Sequence, residues 1–193
     1  MSRKLLVIDI ETTGTDPLVH GVVTLGALVW NQGGIDAEYH ALVNDEDALI
    51  SAGAMAIHKI PLEHIREHGI SPYMAVTALE QMFAKHDMTG RHVVIAAHNA
   101  PFDVGFLKRL YRLAGQDFSK RFGYRHLCTQ TGALLLEQAG RLDLPGGSAS
   151  LDTLTKFWNI VLDRSEGHDA LADARATAAV LNRELTLMGG LRG

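Results

Sequence analysis

The stretch 7-VIDIETTG-14 carries the branched apolar residues of a buried β-strand, Val7, Ile8 and Ile10, interrupted by two acids, Asp9 and Glu11. Side chains alternate along a strand, so the two carboxylates share one face of the sheet. Neighbouring carboxylates repel, and burying them costs free energy unless something positive lies between them. The pair therefore asks for a cation.

Working outward, strand-like runs cover Lys4 to Thr12, Val22 to Trp30 and Ala37 to Asn44, separated by the turn-rich GTDPLVHG and NQGGID, which predicts an antiparallel meander. Farther on, Ser71 is an N-cap and Pro72 suits a first helical turn. Met74, Ala75, Ala78, Leu79, Met82 and Phe83 then form an apolar face. HVVIAAH (92–98) reads as a fully buried strand. A helix runs from near Pro101 to Gly115, a short strand covers about Tyr124 to Cys128, a helix spans Thr129 to Ala139, and LPGGSAS (144–150) is a loop. The last helix repeats Leu171, Ala174, Ala178, Leu181, Leu185 and Met188 at helical spacing behind an Asp169 N-cap. A three-strand meander followed by alternating helices and strands predicts an α/β fold with a mixed central sheet flanked by helices.

The 193 residues are 47% hydrophobic without a block of biased composition, as expected of a single domain over residues 1–193. The N-terminus lacks a signal-like apolar region and no apolar run approaches membrane-spanning length, so a cytoplasmic protein without membrane association is expected. Cys128 is the only cysteine, which excludes an internal disulfide and a cysteine-built zinc site. With a formal net charge of −4, a nucleic-acid partner needs a local basic patch or bound cations. Lys108, Arg109, Arg112, Lys120, Arg121 and Arg125, interleaved with Tyr111, Phe118, Phe122 and Tyr124, leave three readings open. They form a single-strand groove with stacking aromatics, a solvated helix face over core aromatics, or a homodimer contact. His64 and His68 have the i, i+4 spacing of a zinc pair, but a solvated helix face is the better reading.

Asp103 and Asp173 each lie where a strand gives way to a helix, the place where open α/β sheets hold their ligands. If the first strand is central, Asp9, Glu11, Asp103 and Asp173 converge at one end of it. Oxygen ligands without cysteine favour magnesium or manganese, and two such ions can clamp the attacking and leaving oxygens of a phosphodiester. His168 belongs on the loop just before the last helix, with Asp173 in that helix's second turn. An imidazole there can act as general base toward water.

DIETTG, HNAPFD and HDALADA resemble, in order, the three motifs of the DnaQ-like 3′-to-5′ exonucleases, in the branch whose third motif reads His, four residues, Asp. The resemblance spans Val7 to about Leu187 and implies a ribonuclease H-like fold. Carried over by position, it implies that Asp9, Glu11, Asp103 and Asp173 bind two Mg²⁺ or Mn²⁺ ions and that His168 is the general base. It also implies that Thr12, Thr13 and Gly14 lie against the terminal nucleotide, that His58 is near it, that Asn99 bonds backbone and that Phe102 stacks on a base. His98 supports the site from behind. Lys59 stands where the family often has Gly, and Cys128 stands where many relatives have Asp but exonuclease X-like members resemble this chain's Cys-Thr.

The expected function is metal-dependent hydrolysis of single-stranded DNA, RNA or short oligonucleotides, and the resemblance implies that it proceeds from the 3′ end and releases nucleoside 5′-monophosphates. Two alternatives stand beside it: a polymerase proofreading subunit, and a non-catalytic nucleic-acid-binding module on the same scaffold. Against the first, the chain ends at Gly193 without a long C-terminal tail; against the second, no metal carboxylate is missing.

Overall fold

A computed structural model describes residues 3–88, 92–163, 165 and 167–189. The meander is β1 (Leu5–Thr12), β2 (Val22–Asn31) and β3 (Gly34–Leu42), paired antiparallel. β3 starts at Gly34 rather than Ala37, because the Gly33 amide donates to the Asn31 side chain at 2.7 Å and closes a tight hairpin. There follow α1 (Ala52–His58), α2 (Leu62–His68), α3 (Pro72–Lys85), β4 (Val93–Ala97), α4 (Ala100–Leu113), α5 (Phe118–Arg121), β5 (Phe122–Cys128), α6 (Thr129–Gln138), α7 (Leu151–Phe157) and α8 (Ala170–Leu187). The mixed sheet has the order β3-β2-β1-β4-β5, with β4 parallel to β1 and β5 parallel to β4.

β1 is central, and its alternation feeds two cores. Leu6, Ile8 and Ile10 pack with residues of α3 and α4, whereas Leu5 and Val7 pack against Ala174, Ala178 and Leu181 of α8. Asp9 and Glu11 continue the α8 face. Asp169 caps α8, accepting from the Ala172 amide at 2.7 Å, and Ser71 caps α3. The other side of α8, Ala176 and Val180, is buried against α6 and α7, so the helix is buried on two faces. Its small residues allow that close approach.

The expected helix faces shift at their ends. On α3 the stripe includes Val76 while Met74 is exposed and Ala78 half-buried, and Met188 is exposed just past the end of α8. Asp173 closes the first turn of α8 rather than entering the second. Much of the basic segment is engaged within the fold rather than lining a groove. Tyr111, Phe118 and Phe122 form a ring cluster with centroids 4.7–5.8 Å apart, with Tyr111 and Phe122 fully buried in the core. Arg109 is buried with Asp45 at 2.7 Å, Arg121 pairs with Glu80, and Lys108 lies over the Phe118 ring. Only Tyr124, 84% exposed, remains a surface aromatic of that group. No helix among the described residues is long and apolar enough to cross a membrane.

Candidate active site

β4 pairs with β1 only over Leu5–Val7, so the strands part at their C-terminal ends and open the crevice at the topological switch point. The Ile10 amide, past the last pairing with β4, donates to Asp103 Oδ1 at 3.1 Å. Asp103, from the first turn of α4, is thereby drawn against β1 and buried. On the β2 side the ladder shifts between Glu11 and Thr12, the kind of irregularity that re-aims side chains next to sites.

A glycine places the opposite wall. Gly26 is the β2 partner of Asp9, and a Cβ built on it would meet the Ala170 carbonyl oxygen at 2.2 Å. Only glycine lets the start of α8 lie directly on the sheet here. Asp173 and the preceding His168 are carried in with it. His168 is docked from its other side, its amide donating to the Ile57 carbonyl at 3.3 Å. Gly167, at φ +105°, passes close against the His58 carbonyl.

The result is a tight triplet. His168 Nδ1 lies 3.6 Å from both Glu11 Oε1 and Asp173 Oδ2. Among the described residues, one group of three such side chains has ligand atoms all within 4.8 Å of one another, and it is Glu11, His168 and Asp173. Asp103 adjoins it. Burial first, and then the Glu11 and Cys128 charges, hold its carboxyl well above the usual range, against the pull of backbone amides including that of Ile10. Asp9 is half-buried on the same face of β1. This donor set fits a hard divalent cation: its atoms are mainly carboxylate oxygens, and such an ion would neutralise the Glu11 charge that adds to burial in raising Asp103.

Beside the triplet is a cleft of about 360 Å³ whose lining includes Glu11, Thr12, Gly14, His20, Ile57 and Phe102. Of the sequence-predicted contact residues, Thr12, Gly14 and Phe102 are in its wall, with Phe102 tilted against Phe106 at 4.9 Å. The Thr12 hydroxyl donates to the Gly14 carbonyl at 2.6 Å. Thr13 faces a separate cleft, and its hydroxyl is occupied, donating to Leu49 and accepting from the Gly21 amide. His58 is buried beneath the wall, where Nδ1 accepts from the Ile60 amide at 3.0 Å and Nε2 finds no partner among the described residues. Burial and the nearby His168 lower its pKa. Lys59 adopts the left-handed conformation, φ 59°, that glycine takes more easily, and its ammonium donates to the Ser165 carbonyl rather than facing the cleft. Asn99, also left-handed, precedes α4 and makes no side-chain cap. His98 is held by the Thr129 hydroxyl at 2.8 Å, and burial takes its pKa down to about 4, against a bond to Ala149 and the Asp152 charge.

Sequence reasoning missed Gly26, His20, Ile57 and Glu184. A glycine inside the apolar run VVTLGALVW was the available signal for Gly26. Glu184 lies within α8, 2% exposed, its carboxylate against Gly132 of α6. Burial and then Cys128 raise its pKa to about 8, opposed by the Ala133 amide. Burial alone pushes the Cys128 thiol up, but hydrogen bonds from Thr131, Ala100 and Asn99 outweigh it and bring the thiol below its ordinary value.

A ribonuclease H-like sheet with acids gathered at the C-terminal end of its central strand defines the class. Within that class the exonuclease family model matches residues 6–181, and the chain belongs to that family. The chain is 30% identical over 193 residues to DNA polymerase III subunit epsilon of Escherichia coli, covering 97% of this chain and 72% of that protein. It is also 30% identical over 190 residues to the PolC-type DNA polymerase III of Thermotoga petrophila, of which it spans 12%. Among solved structures, E. coli exonuclease I in complex with a dT13 oligonucleotide matches with TM-score 0.78 at 20% identity, over 97% of this chain and 42% of the other. Exonuclease X in complex with 5′ overhanging duplex DNA matches with TM-score 0.63 at 26% identity, over 96% and 93%.

Proposed function

We propose that residues 1–193 act as one cytoplasmic 3′-to-5′ exonuclease domain that hydrolyses the terminal phosphodiester of single-stranded DNA or RNA and releases nucleoside 5′-monophosphates. The observation that carries this reading is the convergence of Glu11, Asp173 and His168 at the end of β1, beside a cleft of nucleotide size. Asp9, Glu11, Asp103 and Asp173 would hold two magnesium or manganese ions. Bound there, the ions supply charge neutralisation at the phosphate and a lowered pKa for attacking water.

The chain's own residues do the rest. His168, on a loop fixed by the Ile57 carbonyl and half-exposed at the mouth, takes the proton from the attacking water. Thr12, Gly14 and Phe102 orient the terminal nucleotide. His58 and Asn99 shape the backbone behind it, and Thr13 ties the end of β1 to its neighbouring loops.

The test compares 5′-labelled single-stranded DNA, duplex DNA with recessed or overhanging 3′ ends, and short RNA, each with magnesium or manganese. A ladder shrinking from the 3′ end supports the reading and ranks the substrates. Internal cleavage fragments, or retention without cleavage, count against it. The match to polymerase III epsilon supports a second role, as a proofreading partner of a polymerase. Co-purification of a polymerase with the intact chain tests it.

A further inference from the structure

The wall of the nucleotide cleft contains a hydrogen-bond donor to which the proposed chemistry gives no task. His20 packs its ring on Gly14 so closely that a Cβ there would meet ring atoms at 2.2–2.5 Å. The ring is locked from behind: the Asp16 amide donates to His20 Nδ1 at 3.1 Å. The Asp16 carbonyl, the other group near Nδ1, already accepts from the amides of His20 and Val19. Nδ1 therefore serves as the acceptor, and the proton of the neutral ring is on Nε2. Nε2 has no protein partner among the described residues.

The loop that carries this ring is tied down by hydrogen bonds. Leu18 donates its amide to the Asp16 carboxylate at 2.9 Å, and the buried Arg109 donates to the carbonyls of Pro17 and Leu18 at 3.3 and 3.1 Å. Such fixation is what a recognition group needs, because little ordering cost remains when a ligand binds. Gly14, on which the ring packs, is three residues beyond Glu11, at most about 11 Å along the chain, and Glu11, Gly14 and His20 line one cleft. A nucleotide whose phosphate lies at Glu11 would bring its sugar and base within reach of the His20 ring in that shared cleft.

We infer that His20 Nε2–H donates a hydrogen bond to the base of the terminal nucleotide, making His20 a substrate-contacting residue that distinguishes a base-bearing end from an abasic one. The inference rests on the exonuclease reading above. Purine N3 and pyrimidine O2 are acceptors common to all the bases, so one donor serves every sequence without selecting among them.

The experiment uses 5′-labelled single-stranded DNA ending in thymidine or in a tetrahydrofuran abasic residue, with wild type, His20→Phe and His20→Gln. Loss of one hydrogen bond predicts KM for the thymidine end raised roughly 3- to 10-fold in His20→Phe, with kcat little changed. His20→Gln, which keeps an N–H, stays near wild type, and all three proteins share one KM on the abasic end. An unchanged KM in His20→Phe, an equal rise on both ends, or a loss in His20→Gln as large as in His20→Phe overturns the assignment. Calorimetric titration with thymidine 5′-monophosphate and with 2-deoxyribose 5-phosphate, in manganese, separates this from failure of the exonuclease reading. If wild type shortens neither oligonucleotide, that reading fails. Weaker binding of the thymidine compound alone by His20→Phe still upholds the His20 contact, and equal binding refutes it.

Discussion

His168 has two carboxylate neighbours at 3.6 Å and a backbone tether, so its ring is placed by the same residues that would hold the ions. His168→Ala should lower kcat by roughly 10²- to 10⁴-fold, the range for a positioned general base, while manganese still raises Tm. Near-normal turnover would remove His168 from that role. Asp103 separates charge from shape. Asp103→Asn still accepts the Ile10 amide and no longer buries an ionisable acid, so metal-free thermal unfolding should show stability at or above wild type. Activity and the manganese-induced rise in Tm should both fall. Glu184 tests burial directly. Its folded pKa of about 8 lies above the unfolded carboxyl value, so its proton is retained on folding. Stability from this group is therefore fully present below about pH 4 and declines as pH rises toward 8. Glu184→Gln should flatten that decline, gaining on the order of a few kcal/mol over wild type near pH 9 and little at pH 4, read from denaturant unfolding across pH.

Elements bring these residues together, and the contact of α8 with β2 at Gly26 is the narrowest fit. Gly26→Ala puts a methyl into the Ala170 backbone, which should destabilise by about 1–3 kcal/mol and shift Asp173 and His168 away from Glu11. Activity should fall far more than Tm. A variant with wild-type kcat would show that α8 tolerates a wider approach. The long elements were legible because their patterns are local: β1, β2, α4 and α8 declare themselves by alternation or helical spacing. The helices α1 and α7, seven residues each, were not, and α2 showed only in the i, i+4 spacing of His64 and His68. α1 lacks a side-chain cap, and its surroundings are the Thr13 and His168 loops, contacts no local pattern records. The five acid and imidazole positions stand out in the sequence because they fall in three local motifs, DIETTG, HNAPFD and HDALADA. The glycine and histidine that shape the cleft depend on partners brought in by folding.

Across the whole molecule, charge was the most misleading guide. The basic run 108–125 looked like the missing anchor for a polyanion, yet the partners of Arg109 and Arg121, Asp45 and Glu80, lie 64 and 41 residues away in sequence. With Arg109 and Arg121 engaged and a net charge of −4, the acidic crevice should draw nucleic acid only when divalent ions fill it. Binding of single-stranded DNA should accordingly be weak in EDTA and strengthen with magnesium or manganese, as fluorescence anisotropy would show. The central claim, that the cradle at the end of β1 works only with bound cations and acts at the 3′ terminus, is tested most directly by one time course. A 5′-labelled single-stranded oligonucleotide is followed with magnesium and with EDTA. The account predicts a ladder that shortens one nucleotide at a time from the 3′ end in magnesium and an intact strand in EDTA. Shortening that persists in EDTA, or release of the 5′ label as a mononucleotide at the outset, would contradict it.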